Sequence, residues 1–206
     1  MKYIFFFIYF AIFFISQSSL ANNNESFNSW LNEFKLKAKQ HGISQETIDN
    51  SLSNINLIPR VIELDRKQPE FTLTLNQYLN RVVSKKRIEK GISKIRENWE
   101  LLEEISTVYK VQPRFIVALW GIETDYGRIS GGFPVLDSLA TLSYDGRRRE
   151  YFTKELLNAL EIIDYGHIDS KNMMGSWAGA MGQPQFMPSS FLNYAVDFNN
   201  DGKKDI

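Results

Sequence analysis

The stretch V-A-L-W-G-I-E-T-D-Y-G, Val117 to Gly127, reads as the end of a helix that carries an acid on its apolar side. Pro113 suits a first helical turn, and Gly127 with the pair Gly131-Gly132 breaks the helix after about Tyr126. At helical spacing Ile116, Leu119 and Trp120 form one stripe, and Glu123 is its next position. Two readings of that acid follow. Desolvation beside Leu119, Trp120 and Tyr126 would raise its pKa, leaving a proton for a departing oxygen, as glycosidic cleavage requires. Alternatively it is a buried structural Glu paired with Arg or Tyr. Asp125 falls on another helix face and is no obvious second acid. Glycosidases ordinarily use two carboxylates. One well-placed acid suggests a reaction in which the substrate supplies its own nucleophile.

Around this helix the chain has a helical rhythm. Phe27, Trp30, Leu31 and Phe34 form an i, i+3, i+4, i+7 stripe, with Gly42 as a stop. Ser44 can cap a short helix to about Leu52. Residues 53–70, with Pro59 and Pro69, read as a connector with local turns. Ile88, Ile92, Ile95, Trp99, Leu102 and Ile105 predict one long helix capped by Ser84. Phe152, Leu156, Leu160 and Ile163 predict another, ended by Gly166. No sustained two-residue alternation occurs, so strands should be few.

The ends and the bulk composition narrow the function. Residues 1–21 combine one Lys, an apolar run from Tyr3 to Ile15 and small residues at Ser19 and Ala21. This predicts a secretory signal peptide cleaved after Ala21. The run is shorter than the roughly 20 residues of a bilayer span, so no stable membrane anchor is expected. The 206 residues hold 24 basic and 24 acidic side chains. That neutrality makes no electrostatic case for nucleic acid. The chain has no Cys, which excludes disulfides, thiolate chemistry and lipid attachment through an N-terminal Cys.

Two further segments carry chemistry. Residues 175–190, G-S-W-A-G-A-M-G-Q-P-Q-F-M-P-S-S, interleave Gly and Pro with Trp177, Met181, Phe186 and Met187, the composition of a loop that lines a cleft. Residues 197–205, D-F-N-N-D-G-K-K-D, match the first nine places of a calcium loop. Asp197, Asn199, Asp201 and Asp205 supply side-chain oxygens, Lys203 a carbonyl, and Gly202 the sharp turn. The alternative is an acidic turn without metal. The twelfth place lies beyond Ile206. His167, after Gly166 and without a metal-spaced partner, reads as an exposed turn residue.

W-G-I-E-T-D-Y-G, S-L-A-T-L-S-Y, R-R-R-E-Y-F, G-S-W-A-G-A-M-G-Q-P-Q-F-M-P-S-S-F and Y-A-V-D-F-N-N-D-G occur in that order over residues 120–202. Together they resemble the membrane-bound lytic murein transglycosylase B family. Q-P-E-F and Q-Y-L-N-R-V-V-S, earlier in the chain, resemble it more loosely. The resemblance implies a mainly α fold: a lysozyme-like (transglycosylase) helical domain over residues 111–206, with an N-terminal helical region over 22–110. It implies cleavage between N-acetylmuramic acid and N-acetylglucosamine in peptidoglycan, giving 1,6-anhydromuramic acid, with Glu123 as acid and then base. No cofactor is needed for that chemistry, and calcium in the loop would be structural.

By the same resemblance Ser176 and Gln185 line the sugar cleft, and Arg147 with Arg148 suit peptide or lactyl carboxylates. The alternative for the Arg pair is a solvated helix start. Tyr78 either stacks on a sugar or packs in the core, while Trp177 and Phe186 fit wall packing better than sugar platforms. Many family members are lipoproteins and continue past the calcium loop. A chain without Cys implies a periplasmic form that is not lipid-anchored, cut within the loop. The partner implied is the peptidoglycan strand, and no protein partner is indicated. The competing functions are a hydrolytic muramidase and a non-catalytic, truncated peptidoglycan-binding relative.

Overall fold

The computed structural model describes residues 26–67 and 74–206. The predicted signal peptide, Pro69 and the Q-P-E-F segment lie outside them. Ten helices occur among the described residues: α1 (residues 26–40), α2 (Gln45–Leu52), α3 (Pro59–Arg66), α4 (Leu75–Val82), α5 (Lys85–Glu97), α6 (Trp99–Tyr109), α7 (Pro113–Thr124), α8 (Val135–Asp145), α9 (Arg149–Asp164) and α10 (Pro188–Tyr194). The strands β1 (Phe133–Pro134) and β2 (Met174–Gly175) form one small antiparallel ladder, Phe133 opposite Gly175 and Pro134 opposite Met174. No described helix is long and apolar enough to cross a membrane.

The core is built around α8. Val135, Leu136, Leu139, Ala140 and Leu142 meet Phe152, Leu156 and Leu160 of α9, Phe27, Phe34 and Ala38 of α1, and Ile48, Leu52, Val61 and Phe191. This one cluster draws on residues from both sides of position 110. Each fully buried Leu or Phe contributes about 1.5–3 kcal/mol through area removed from water. Ser44 caps α2 by accepting the Thr47 N–H, and its hydroxyl donates to Asp164 of α9 at 2.5 Å, tying the two helices together.

Several expectations need correction. Residues 53–70 are not merely a connector, because they contain α3, which Pro59 starts as a first-turn residue. The long helix predicted from Ile88 to Ile105 is two helices. Asn98 ends α5 and begins α6 at φ −119° and ψ 26°, outside the helical range. The apolar rhythm runs across that break, although only Leu102 of its residues is buried.

Helices α5, α6 and α7 pack beside this core. Tyr126 slots between α5 and α7, and only glycine leaves room for it. A Cβ on Gly91 would lie 2.5 Å from the Tyr126 hydroxyl, and one on Gly121 would lie 2.7 Å from its ring. The hydroxyl donates to the Arg87 carbonyl at 2.7 Å.

Candidate functional site

The buried face of α7 is Val117, Gly121 and Thr124. Of the stripe read from the sequence, Ile116 and Trp120 are half-buried and Leu119 and Glu123 exposed, so the stripe borders that face rather than forming it. Leu119 is 60% and Ile122 48% exposed, and Glu123 is exposed as well. Glu123 therefore does not enter the apolar interior. The paired structural alternative fails too. Among the described residues Glu123 has no ion-pair or hydrogen-bond partner within bonding distance. Its neighbour Ile122 lines an apolar groove of about 320 Å³ with Ile88, Ile92 and Val117.

Asp125 is treated quite differently. It ends α7 in a left-handed conformation, φ 51°. Arg128 donates to its carboxylate at 2.5 Å, while Lys90 and Arg87 stand 3.7 and 3.8 Å away. The Arg128 hydrogen bond, aided by the charges of Lys90 and Arg87, outweighs desolvation and holds Asp125 below the usual carboxylate range. It stays ionised and anchors the helix end; Lys90 also donates to its carbonyl at 2.9 Å.

The acids that do enter the interior are Asp65 and Glu155, 2% and 3% exposed. Glu155 of α9 accepts the Ser189 N–H at 2.9 Å and its hydroxyl at 2.7 Å, holding the start of α10. Asp65 receives Arg147 Nε at 2.6 Å, Arg147 Nη2 at 2.8 Å and Arg148 Nη2 at 2.5 Å. The Arg pair read as a carboxylate receptor, or else a solvated helix start, is thus already engaged inside the molecule, bracing α3 against the start of α9. Burial pushes Asp65 upward, but the Arg147 and Arg148 hydrogen bonds and charges win, so its pKa is lowered.

Replacing Asp65 by Asn is expected to cost about 1–2 kcal/mol at neutral pH. The figure is modest because both guanidinium groups remain nearly half exposed and can rehydrate. A depressed Asp stabilises above its unfolded pKa of about 3.9 and loses that contribution as pH falls through the lower folded value. Chemical denaturation of both proteins should give a constant gap above about pH 4 that closes below it.

The Gly-rich loop docks on the end of α7. Gly175 pairs with Met181 and Met181 with Phe186, so the loop is a folded double turn. Trp120 Nε1 donates to Gln183 Oε1 at 2.7 Å, and the Thr124 hydroxyl to the Gln183 carbonyl at 3.0 Å. Ser176 Oγ accepts the N–H groups of Ala178 and Ala180 at 3.3 and 3.1 Å, which leaves only its own proton to offer a ligand. Gln185, at φ 52°, donates Nε2 to the carbonyls of Ser130 and Gly182 at 3.0 and 2.9 Å. Of its amide, the oxygen alone remains available. Trp177 is partly buried against the core. Tyr78 is 42% exposed on α4, a helix with no buried residue, so core packing does not account for it. Gln183 carried no signal in the sequence, because its role depends on α7 and the loop meeting in space.

The predicted calcium loop is a turn held by its own side chains. Asp197 accepts the N–H groups of Asp201 and Gly202 at 3.1 and 2.8 Å, Asn199 accepts that of Asp201 at 3.0 Å, and Asp201 that of Lys203 at 2.8 Å. Asp205 accepts the Phe198 N–H at 3.1 Å. Among the described residues no three carboxylates or imidazoles converge as metal ligands. Each of these loop oxygens accepts one backbone N–H and keeps a further lone pair, so the turn leaves the oxygens predicted for calcium able to serve as ligands. His167 is not an exposed turn residue either; it is half-buried, and its Nδ1 accepts the Lys204 N–H at 3.3 Å.

The geometry has counterparts among known proteins. Residues 26–206 match the model of the Transglycosylase SLT domain family. The chain is 35% identical over 173 residues to the membrane-bound lytic murein transglycosylase B of Escherichia coli, covering 79% of this chain and 48% of that protein. It therefore spans about half the length of that relative. Its fold matches SltB3 of Pseudomonas aeruginosa at a TM-score of 0.83 and 41% identity, covering 87% of this chain and 48% of that one. SltB3 has been solved with NAG-NAM-pentapeptide and with NAG-anhNAM-pentapeptide. The Escherichia coli lytic transglycosylase Slt35, solved with calcium, matches at 0.73 and 34% identity over 85% of this chain and 56% of that one. The mainly helical, lysozyme-like fold expected from the sequence is the one these relatives share. The chain belongs to the Transglycosylase SLT domain family.

Proposed function

We propose that this chain is a lytic transglycosylase of peptidoglycan, with Glu123 as its one catalytic carboxyl. The observation that carries the reading is the contrast at the end of α7. Asp125 is held by three cations, whereas Glu123, two residues earlier, has no partner among the described residues and faces outward beside a docked loop. The complexes of SltB3 with NAG-NAM-pentapeptide and NAG-anhNAM-pentapeptide support the same substrate class.

The residues suit one proton cycle. The protonated Glu123 gives its proton to the oxygen joining N-acetylmuramic acid to N-acetylglucosamine. The C1–O bond breaks, and the leaving sugar departs with a 4-hydroxyl. The muramic C6 hydroxyl then closes on C1, and its proton returns to Glu123. The new bond is intramolecular, so high effective concentration replaces a positioned water. A glycan lying over Leu119 and Ile122 would exclude water from the carboxyl. Of the loop residues singled out from the sequence, Ser176 has its hydroxyl proton and Gln185 its amide oxygen left for sugar. Tyr78, outside the core, is available to stack on a ring. Arg147 and Arg148 keep outer N–H groups for a carboxylate only beyond their bonds to Asp65.

The reading extends to placement: residues 1–21 act as a leader, and the protein works in the periplasm, where peptidoglycan lies. Mass spectrometry of muropeptides released by this chain tests the chemistry. Anhydromuramic ends, one water lighter than reducing ends, are expected. Reducing ends alone would establish the hydrolytic muramidase instead, and binding without release would establish the non-catalytic relative.

A further inference from the structure

Gln183 has a fixed orientation that nothing in its own loop requires. The Trp120 indole is only a donor, so the 2.7 Å bond from its Nε1 decides which end of the Gln183 amide is oxygen. The oxygen is spent on the ring. The NH₂ end is left over, Gln183 is exposed, and among the described residues Nε2 donates to nothing. Gln185 offers the contrast, since its Nε2 is used twice on backbone carbonyls.

The seat of Gln183 is also tightly built. Its carbonyl accepts from Thr124, and Gly127 lacks the Cβ that would come within 2.4 Å of Gln183 Oε1. Trp120 and Thr124 bracket Glu123 at i−3 and i+1, and residues three apart are neighbours on a helix surface. A rigidly held amide therefore has two unengaged N–H donors on the helix turn that carries the candidate acid.

We propose that Gln183 is a specificity-determining residue that donates to the acetamido carbonyl oxygen of a bound amino sugar. An acetamido carbonyl can only accept, and the unengaged NH₂ end of this amide can only donate. The inference rests on the transglycosylase reading and adds a substrate contact to it.

Titration calorimetry with a NAG-NAM-pentapeptide fragment tests it, using the full chain carrying Glu123→Gln to prevent turnover. Gln183→Glu keeps an acceptor for Trp120 but removes both donors; Gln183→Met removes both functions. Each is expected to weaken binding roughly three- to tenfold, the range of a single hydrogen bond. The loss in Gln183→Met should vanish when the fragment is de-N-acetylated. Parental affinity in Gln183→Glu would overturn the proposal, as would an undiminished Gln183→Met loss on the de-N-acetylated fragment. If the parent itself binds no fragment and the wild type releases no anhydro product, the function reading falls as well. Binding by the parent with unchanged Gln183 variants sinks this inference alone.

Discussion

Glu123→Gln is expected to reduce anhydromuropeptide release by about 10³-fold or more while leaving the fold unchanged. General acid and general base steps are each worth roughly 10²–10⁴-fold, and in the proposed cycle one side chain performs both. Gln keeps the volume and a polar end but cannot give up or take a proton. The stability cost should be close to nothing, because Glu123 is exposed and holds no partner among the described residues. Matched melting curves with abolished lysis are the expected pair of results. Undiminished lysis would remove Glu123 from the mechanism. The corresponding change at Asp125 should behave in the opposite sense, loosening the end of α7 through lost contacts to Arg87, Lys90 and Arg128.

Gly131→Ala is expected to cost about 2–4 kcal/mol and to impair activity with it. Gly131 has φ +103°, which L side chains rarely adopt. An added Cβ would lie 2.0 Å from the Gly175 carbonyl oxygen, 2.1 Å from its carbon and 2.5 Å from Ser176 N. These are backbone atoms and cannot swing aside. Relief requires separating β1 from β2, which moves the root of the loop that holds Ser176, Gln183 and Gln185. Gly132→Ala is the internal control, since its Cβ would meet nothing within 4 Å. Denaturation should distinguish the neighbours clearly, and equal stability would mean that the close approach is not maintained in solution.

These two sites show where periodicity informs and where it misleads. The stripe of α1 was readable because one face is buried and the other wet, with Phe27, Leu31 and Phe34 inside. The same logic located α9 and the Ser44 cap of α2. It missed α8 as a helix, since Val135, Leu136, Ser138 to Ser143 are buried all round and leave no polar face to set a period. At α7 it chose residues that border the buried face. Gly121 and Thr124 do not look like core, yet Gly121 is buried against the Tyr126 ring and Thr124 against the Gln183 backbone.

From sequence came the helical class, the ordered motifs, the acid at position 123 and the Gly-rich loop. Those are local or collinear features, set by residue type and spacing. Tertiary structure decided which acids are enclosed, which cations already have partners and which amide donors remain free. Asp65 meets Arg147 across 82 residues, and Trp120 meets Gln183 across 63. Such pairings depend on how helices pack and on where missing Cβ atoms permit close approach, and no spacing along the chain encodes either.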